Sequence, residues 1–126
     1  MTPLERARSA IGTKFRLHGR SIESGLDCVG LAGLAYGLAV PRGYALRSGD
    51  PAQVIAGIAA AGLVPVRDRR AGDLLLFRAG PGQLHLGIDG GGSVVHADAS
   101  LRRVVERPGM PPWPELMRWR REPVEG

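Results

Sequence analysis

One cysteine and three histidines carry most of the reactive chemistry this chain offers: Cys28, His18, His85 and His96. A thiol becomes a nucleophile when its anion is stabilised or a neighbouring base takes its proton. Cys28 follows Asp27, a good helix cap, and opens the apolar run of residues 29–40. The first turn of a helix offers free N–H groups and the positive end of the dipole, so a depressed thiol pKa is expected there. A structural cysteine is more at home in the middle of such a run. Position alone leaves nucleophile and buried bystander equally open.

The histidines weigh on that choice. Residues 84–89 and 93–98 read as strands joined at Gly90-Gly91-Gly92. A turn centred between Gly90 and Gly91 sets His85 directly opposite His96, and Gly87 opposite Val94. Opposed residues share a face of the sheet. One imidazole can then accept the thiol proton while the other holds it in place, the logic of a nucleophile–base–orienter set. A slip of one residue would turn one ring away. Taken singly, each histidine is also readable as a satisfied polar residue of a half-buried strand. A zinc site of Cys28, His85, His96 and Asp98 is a further alternative, although no CxxC or HxxxH pair supports it. Asp73 and Asp98 read as turn or strand-end residues.

The elements that must position these groups are legible in outline. Thr2, Pro3 and Glu5 form a helix start, with Gly12 beyond its end near Ile11. Residues 13–26 show neither helical nor strand periodicity and read as loop. The second helix, 28–40, is apolar nearly all round and stopped by Pro41; it should lie centrally. Gly30, Gly33 and Gly37 fall on one side of it, suited to close approach of a sheet, and Gly87 leaves room for the helix on the histidine face. A third helix is expected from Asp50-Pro51 to about Ala61, with Gly62 as its stop. Strands follow at 74–77, 84–89, 93–98 and 101–106. Residues 108–115 are rich in proline, and 113–121 read as a short helix or docked tail. Helices first and an antiparallel meander after them predict an α+β domain spanning 1–126, with 108–126 docked on it.

Bulk properties narrow the function classes. A chain of 126 residues suits one domain, and a lone cysteine excludes an intrachain disulfide. No signal peptide is read at the N-terminus and no run is long enough to cross a bilayer, so cytoplasmic synthesis and no membrane partner are expected. The net charge of +5 is almost all arginine, Lys14 being the only lysine. The arginines form no recognition helix and lack an aromatic platform, which argues against nucleic acid.

Four segments, taken in order, resemble the NlpC/P60 family of cysteine peptidases. Gly25-Leu26-Asp27-Cys28-Val29-Gly30-Leu31 is similar to its nucleophile motif. Ala71-Gly72-Asp73-Leu74-Leu75-Leu76-Phe77 is similar to its strand motif. Leu84-His85-Leu86-Gly87-Ile88 is similar to its histidine motif, and Val95-His96-Ala97 to the segment of its third catalytic residue. The resemblance spans about residues 4–106. It implies a papain-like fold, a Cys28–His85–His96 triad, no cofactor or metal, and cleavage of the γ-D-glutamyl-diamino-acid bond or a neighbouring amide in peptidoglycan stem peptides. Two departures stand out. Val29 occupies a position often held by serine, and Phe15 one usually held by a tyrosine thought to bind substrate or polarise its carbonyl. Phe15, His18 and Asp27 are the candidates for the substrate-binding or oxyanion side; His18 either replaces the missing hydroxyl or is a surface loop residue. Phe15 to Arg20 resembles the branch found in phage tails and gene transfer agents, which implies phage-like tail proteins as partners. An inactive tail module and a different thiol hydrolase or acyltransferase on the same fold remain alternatives.

Overall fold

The computed structural model describes residues 1–38 and 51–121. Helix α1, Pro3–Ser9, starts with the expected reciprocal cap: Thr2 Oγ1 accepts the Glu5 N–H at 3.1 Å, and Glu5 Oε1 accepts the Thr2 N–H at 3.0 Å. It ends about two residues short of the expected stop. Residues 13–26 are not plain loop. They contain the short antiparallel pair β1, Arg20–Ser21, and β2, Gly25–Leu26, while Lys14 bridges to Arg103 and Phe15 to Leu26. Strands this short leave no periodicity to read.

Helix α2, Cys28–Tyr36, is buried except at Leu34. It stops before the expected point because Gly37 takes the left-handed conformation (φ 66°), and the Leu38 N–H closes back on the Gly33 carbonyl at 2.8 Å. Pro41, the expected stop, lies outside the described residues, as does Asp50. The close approach at Gly30 is made by the loop before β1: a Cβ there would collide with the Gly19 carbonyl. Tyr36 ties the end of α2 to the sheet. Its hydroxyl donates to the Gly72 carbonyl and its own carbonyl accepts from Arg121. Helix α3 is Pro51–Ala60.

Six strands form one antiparallel sheet: β3 (Leu63–Pro65), β4 (Leu74–Gly80), β5 (Gln83–Asp89), β6 (Ser93–Asp98), β7 (Arg103–Pro108) and β8 (Glu115–Arg121), in the order β3-β8-β4-β5-β6-β7. The expected meander is β4 to β7. The C-terminal segment is a correction. Residues 115–121 form neither a helix nor a docked tail; they are a strand inserted between β3 and β4 and paired with both. The alternation that makes it a strand is disguised by arginine. Trp119, 1 % exposed, pairs with Leu74 on one face, while Arg118 pairs beside Leu75 on the other.

The sheet buries both faces. On one, Leu76, Leu84, Leu86, Ile88, Val95 and Trp119 pack with α1 and α2 in the main core. On the other, Leu75, Phe77 and Val94 make a smaller cluster covered by Trp113. Beside that cluster Arg118 is sealed from solvent, with Nη1 at 2.8 Å from both Asp73 and Asp89. Asp73 also binds Arg120 through two bonds of 2.8 and 2.9 Å. Burial pushes the Asp73 carboxyl up, but the Arg120 and Arg118 guanidiniums outweigh it and hold the group below the ordinary aspartate value.

Candidate active site

Asp27 and Cys28 are placed by one joint. The buried Asp27 carboxylate caps α2 through the Gly30 N–H (2.8 Å), accepts the His18 N–H (2.8 Å) and pairs with Arg20 Nη1 (2.8 Å). One side chain thus fixes the helix start to the loop in front of it, so Cys28 enters the first turn with its backbone constrained from both sides. The thiol is 5 % exposed and belongs to the main core.

The hairpin carrying the histidines differs from expectation in register. Ile88 pairs with Val95 and Asp89 with Val94, and the Gly90 N–H bonds the Ser93 carbonyl at 2.9 Å. The turn is therefore centred between Gly91 and Gly92, with Gly91 at φ 88°. This moves the pairing by two residues, an even step, so both imidazoles still share a face. They are diagonal neighbours, joined by a 2.9 Å hydrogen bond between His85 Nε2 and His96 Nδ1, with rings 5.1 Å apart and nearly perpendicular.

The helix does not pack on the histidine face, which is a second correction. The row Leu84, Leu86 and Ile88 offers α2 an apolar surface and takes it. The room left at Gly87 is filled by Val94 and Phe77, whose nearest atoms stand 2.7 and 3.5 Å from where a Cβ would be. Cys28 instead meets β5 at an opening, beside the Leu86 backbone. Pairing of β5 with β6 stops at Ile88–Val95, although each strand stays paired with its other neighbour. The Asp89 N–H points to β4 and the Gly90 N–H to β6, so by alternation the Leu86 N–H points into the gap. The Leu86 N–H favours the Cys28 thiolate, and Leu86 is the residue after His85. Among the described residues no hydrogen bond joins the thiol to either ring, and no three His, Cys, Asp or Glu side chains converge as a metal site.

Neither family models nor curated proteins give a match to this chain. Solved structures do. NlpC1 from Trichomonas vaginalis superposes with a TM-score of 0.67 at 22% identity, over 94% of this chain and 42% of that one. The peptidoglycan hydrolase RipB from Mycobacterium tuberculosis gives 0.58 at 26%, over 94% and 62%. The P60 domain of an antigen from M. avium subspecies paratuberculosis gives 0.61 at 25%, over 94% and 90%. The chain has the NlpC/P60 fold. It spans less than two thirds of the first two of these proteins.

Within this NlpC/P60 fold the remaining candidates separate. Phe15 is half-buried against the main core, held by its N–H to the Arg102 carbonyl at 2.8 Å. His18 is exposed, at φ 60°, and contributes its backbone N–H to Asp27 while its ring lies outside that contact. Trp113 is the site residue that sequence reasoning missed. Its ring centroid lies 5.3 Å from His85, 5.8 Å from His96 and 5.9 Å from Phe77. A tryptophan inside a proline-rich stretch was the available signal, since such a stiff segment holds an aromatic ring against a surface at low entropic cost.

Electrostatics set the resting protonation. Burial, helped by the neighbouring His96 and opposed by Asp98, pushes the half-buried His85 down to about 4. Burial also lowers His96, against Asp98 and with Arg107. The thiol departs from the depressed value expected. Burial pushes Cys28 up to about 12; the Leu86 N–H opposes it, Asp27 adds to it, and the Cys28 and Val29 N–H groups oppose it. At neutral pH the thiol and both imidazoles therefore rest neutral.

Proposed function

We propose that this protein is a cysteine peptidase acting on peptidoglycan, with Cys28 as nucleophile, His85 as base and His96 as the residue that orients His85. The observation that carries the reading is the His85 Nε2–His96 Nδ1 bond, formed where the helix-starting Cys28 meets the residue after His85. That bond occupies Nε2 of His85 and leaves Nδ1 for the thiol, the division of labour an activated nucleophile requires. The solved neighbour RipB, a peptidoglycan hydrolase, supports a cell-wall substrate.

In the proposed mechanism the Cys28 thiol gives its proton to His85 Nδ1 as sulfur attacks the amide carbonyl carbon. The Cys28 N–H at the helix start stabilises the oxyanion. The C–N bond breaks as the imidazolium protonates the leaving amine. Water then attacks the thioester, His85 taking its proton, and the acid leaves with the thiol restored. Because thiol and imidazole rest neutral, the proton moves with the attack and not before it. The scissile bond is taken to be the γ-D-glutamyl-diamino-acid amide of the stem peptide or its neighbour. The resemblance of the Phe15–Arg20 segment to the phage-tail branch further supports carriage to the wall by a phage-like tail.

Digestion of purified peptidoglycan, followed by mass analysis of soluble fragments, tests this directly. The wild-type protein should release stem-peptide fragments with new termini, and Cys28→Ala should release none. Absence of new termini with the wild type, or their persistence in Cys28→Ala, would overturn the reading.

A further inference from the structure

Trp113 sits in the crossing between β7 and β8, flanked by Pro111, Pro112 and Pro114. Pro111 is buried, and the Pro114 carbonyl accepts the Arg78 N–H at 3.0 Å, which anchors the crossing to β4. Three prolines with fixed φ leave this anchored stretch little freedom. The indole is thus held across both imidazoles, at 78° to His85 and 88° to His96.

Beneath it lies an unresolved proton count. His96 is 2 % exposed, and its Nε2 is buried without a hydrogen-bond partner. The 2.9 Å bond allows two arrangements. If His96 Nδ1 donates, His85 carries its proton on Nδ1 and has no lone pair for the thiol. If His85 Nε2 donates, His85 Nδ1 is free to act as base and His96 carries its proton on Nε2. The orphaned Nε2 is the atom that distinguishes them. A buried N–H beside an aromatic π system keeps a weak partner, whereas a buried lone pair in the same place keeps none.

We propose that Trp113 is a positioning residue: its ring, packed across both imidazoles, holds the His85–His96 pair in the tautomer that leaves His85 Nδ1 as the base. The use of that base rests on the peptidase reading; the tautomer does not, and can be read without turnover. The charged and titratable groups facing the pair are Asp98 for both rings, Arg107 for His96, and each ring for the other. The Cys28 thiol stands at the gap.

The test is long-range proton–nitrogen NMR of the full chain labelled at histidine, comparing the wild type with Trp113→Phe and Trp113→Leu. Phenylalanine keeps a ring; leucine fills space without one. The wild type and Trp113→Phe should show both histidines protonated on Nε2 near neutral pH. Trp113→Leu should show mixed tautomers and titration midpoints raised by about one pH unit, the size an aromatic contact supports. Its kcat on peptidoglycan fragments should fall roughly tenfold, with KM within about twofold. Wild-type tautomers and midpoints in Trp113→Leu would overturn the proposal, as would a folded Trp113→Phe protein that has lost the Nε2 tautomer, a result readable even if the leucine variant does not fold. A wild-type protein that cuts no peptidoglycan but shows the expected tautomer comparison would sink the peptidase reading and leave this one standing.

Discussion

Replacing Arg118 with leucine is the most severe single change this structure points to outside the site. Its guanidinium makes four contacts: Asp73 Oδ2 and Asp89 Oδ2 at 2.8 Å each, and Glu115 at 3.1 and 3.3 Å. The partners do not suffer equally. Asp73 keeps Arg120 and the Arg70 N–H. Glu115 is exposed and falls back on water. Asp89 is 5 % exposed and, among the described residues, keeps only the Gly91 N–H for its side chain, at 2.7 Å. The cost is therefore one buried carboxylate stripped of its cation, about 3–5 kcal/mol. Near the melting point a chain of this size loses roughly 3–5 °C per kcal/mol, so Tm should fall by about 10–20 °C. Thermal unfolding followed by circular dichroism measures this. Arg118→Leu combined with Asp89→Asn removes the stranded charge and should recover a substantial part of the loss. A single variant within about 1 kcal/mol of wild type would refute the argument, and so would a double variant no more stable than the single one.

Further outcomes follow from the site. The base must be neutral to accept a proton, so kcat/KM should decline only as pH falls through about 4, where burial has moved His85; an acid limb near 6.5 would contradict the closed geometry. The same shift has a stability sign. His85 titrates at a lower pH folded than unfolded, so its contribution is intact above pH 6.5 and lost as pH falls from there towards 4, by up to about 3 kcal/mol. A urea midpoint that stays flat over this window in the wild type would contradict it, and His85→Gln should flatten it. His85→Ala should lose roughly 10²- to 10⁴-fold in turnover, while His96→Gln retains part of it because an amide can still hold the ring; equal loss in both would reverse the assignment. Asp27→Ala should cost roughly 1–2 kcal/mol as a lost helix cap in a denaturant titration, and Asp27→Asn less; equal stability for Ala and wild type would remove the joint from the argument.

The readable parts of this fold were those whose signals are local. The Thr2–Glu5 cap, the Asp27 cap of α2 and the limits of β6 depend on neighbours in sequence, and each appears where the residues put it. The register of the hairpin needed more than a count of glycines, since three consecutive glycines permit a turn at two centres. The side-chain bond from Asp89 to the Gly91 N–H and the closure at Ser93 accompany the later one. β8 was illegible for a long-range reason. A strand with arginines facing a buried layer looks exposed until Asp73 and Asp89, about forty-five and thirty positions away, are known to receive them. Trp113 was hidden in the same way, its partners lying on β4, β5 and β6.

The shortened ladder between β5 and β6 is the feature that lets an apolar helix serve a polar pair. Cys28, the first residue of α2, lies on the helix side of the sheet and the imidazoles on the side under Trp113, and a continuous sheet would separate them by a layer of backbone. Had pairing continued in the Ile88–Val95 register, the Leu86 N–H would have been spent on β6 opposite Ala97. Left unpaired and buried, that group would cost about 1–3 kcal/mol. The sulfur offsets part of this by standing as its acceptor, and the Leu86 N–H in turn favours the thiolate. The strands need only part where His85 and His96 lean together across the gap, and their 2.9 Å bond replaces at the side chains the pairing given up at the backbone. Fold and the proposed reactivity thus draw on the same local opening: closing it would strengthen the sheet and shut the gap across which the proposed nucleophile and base would meet.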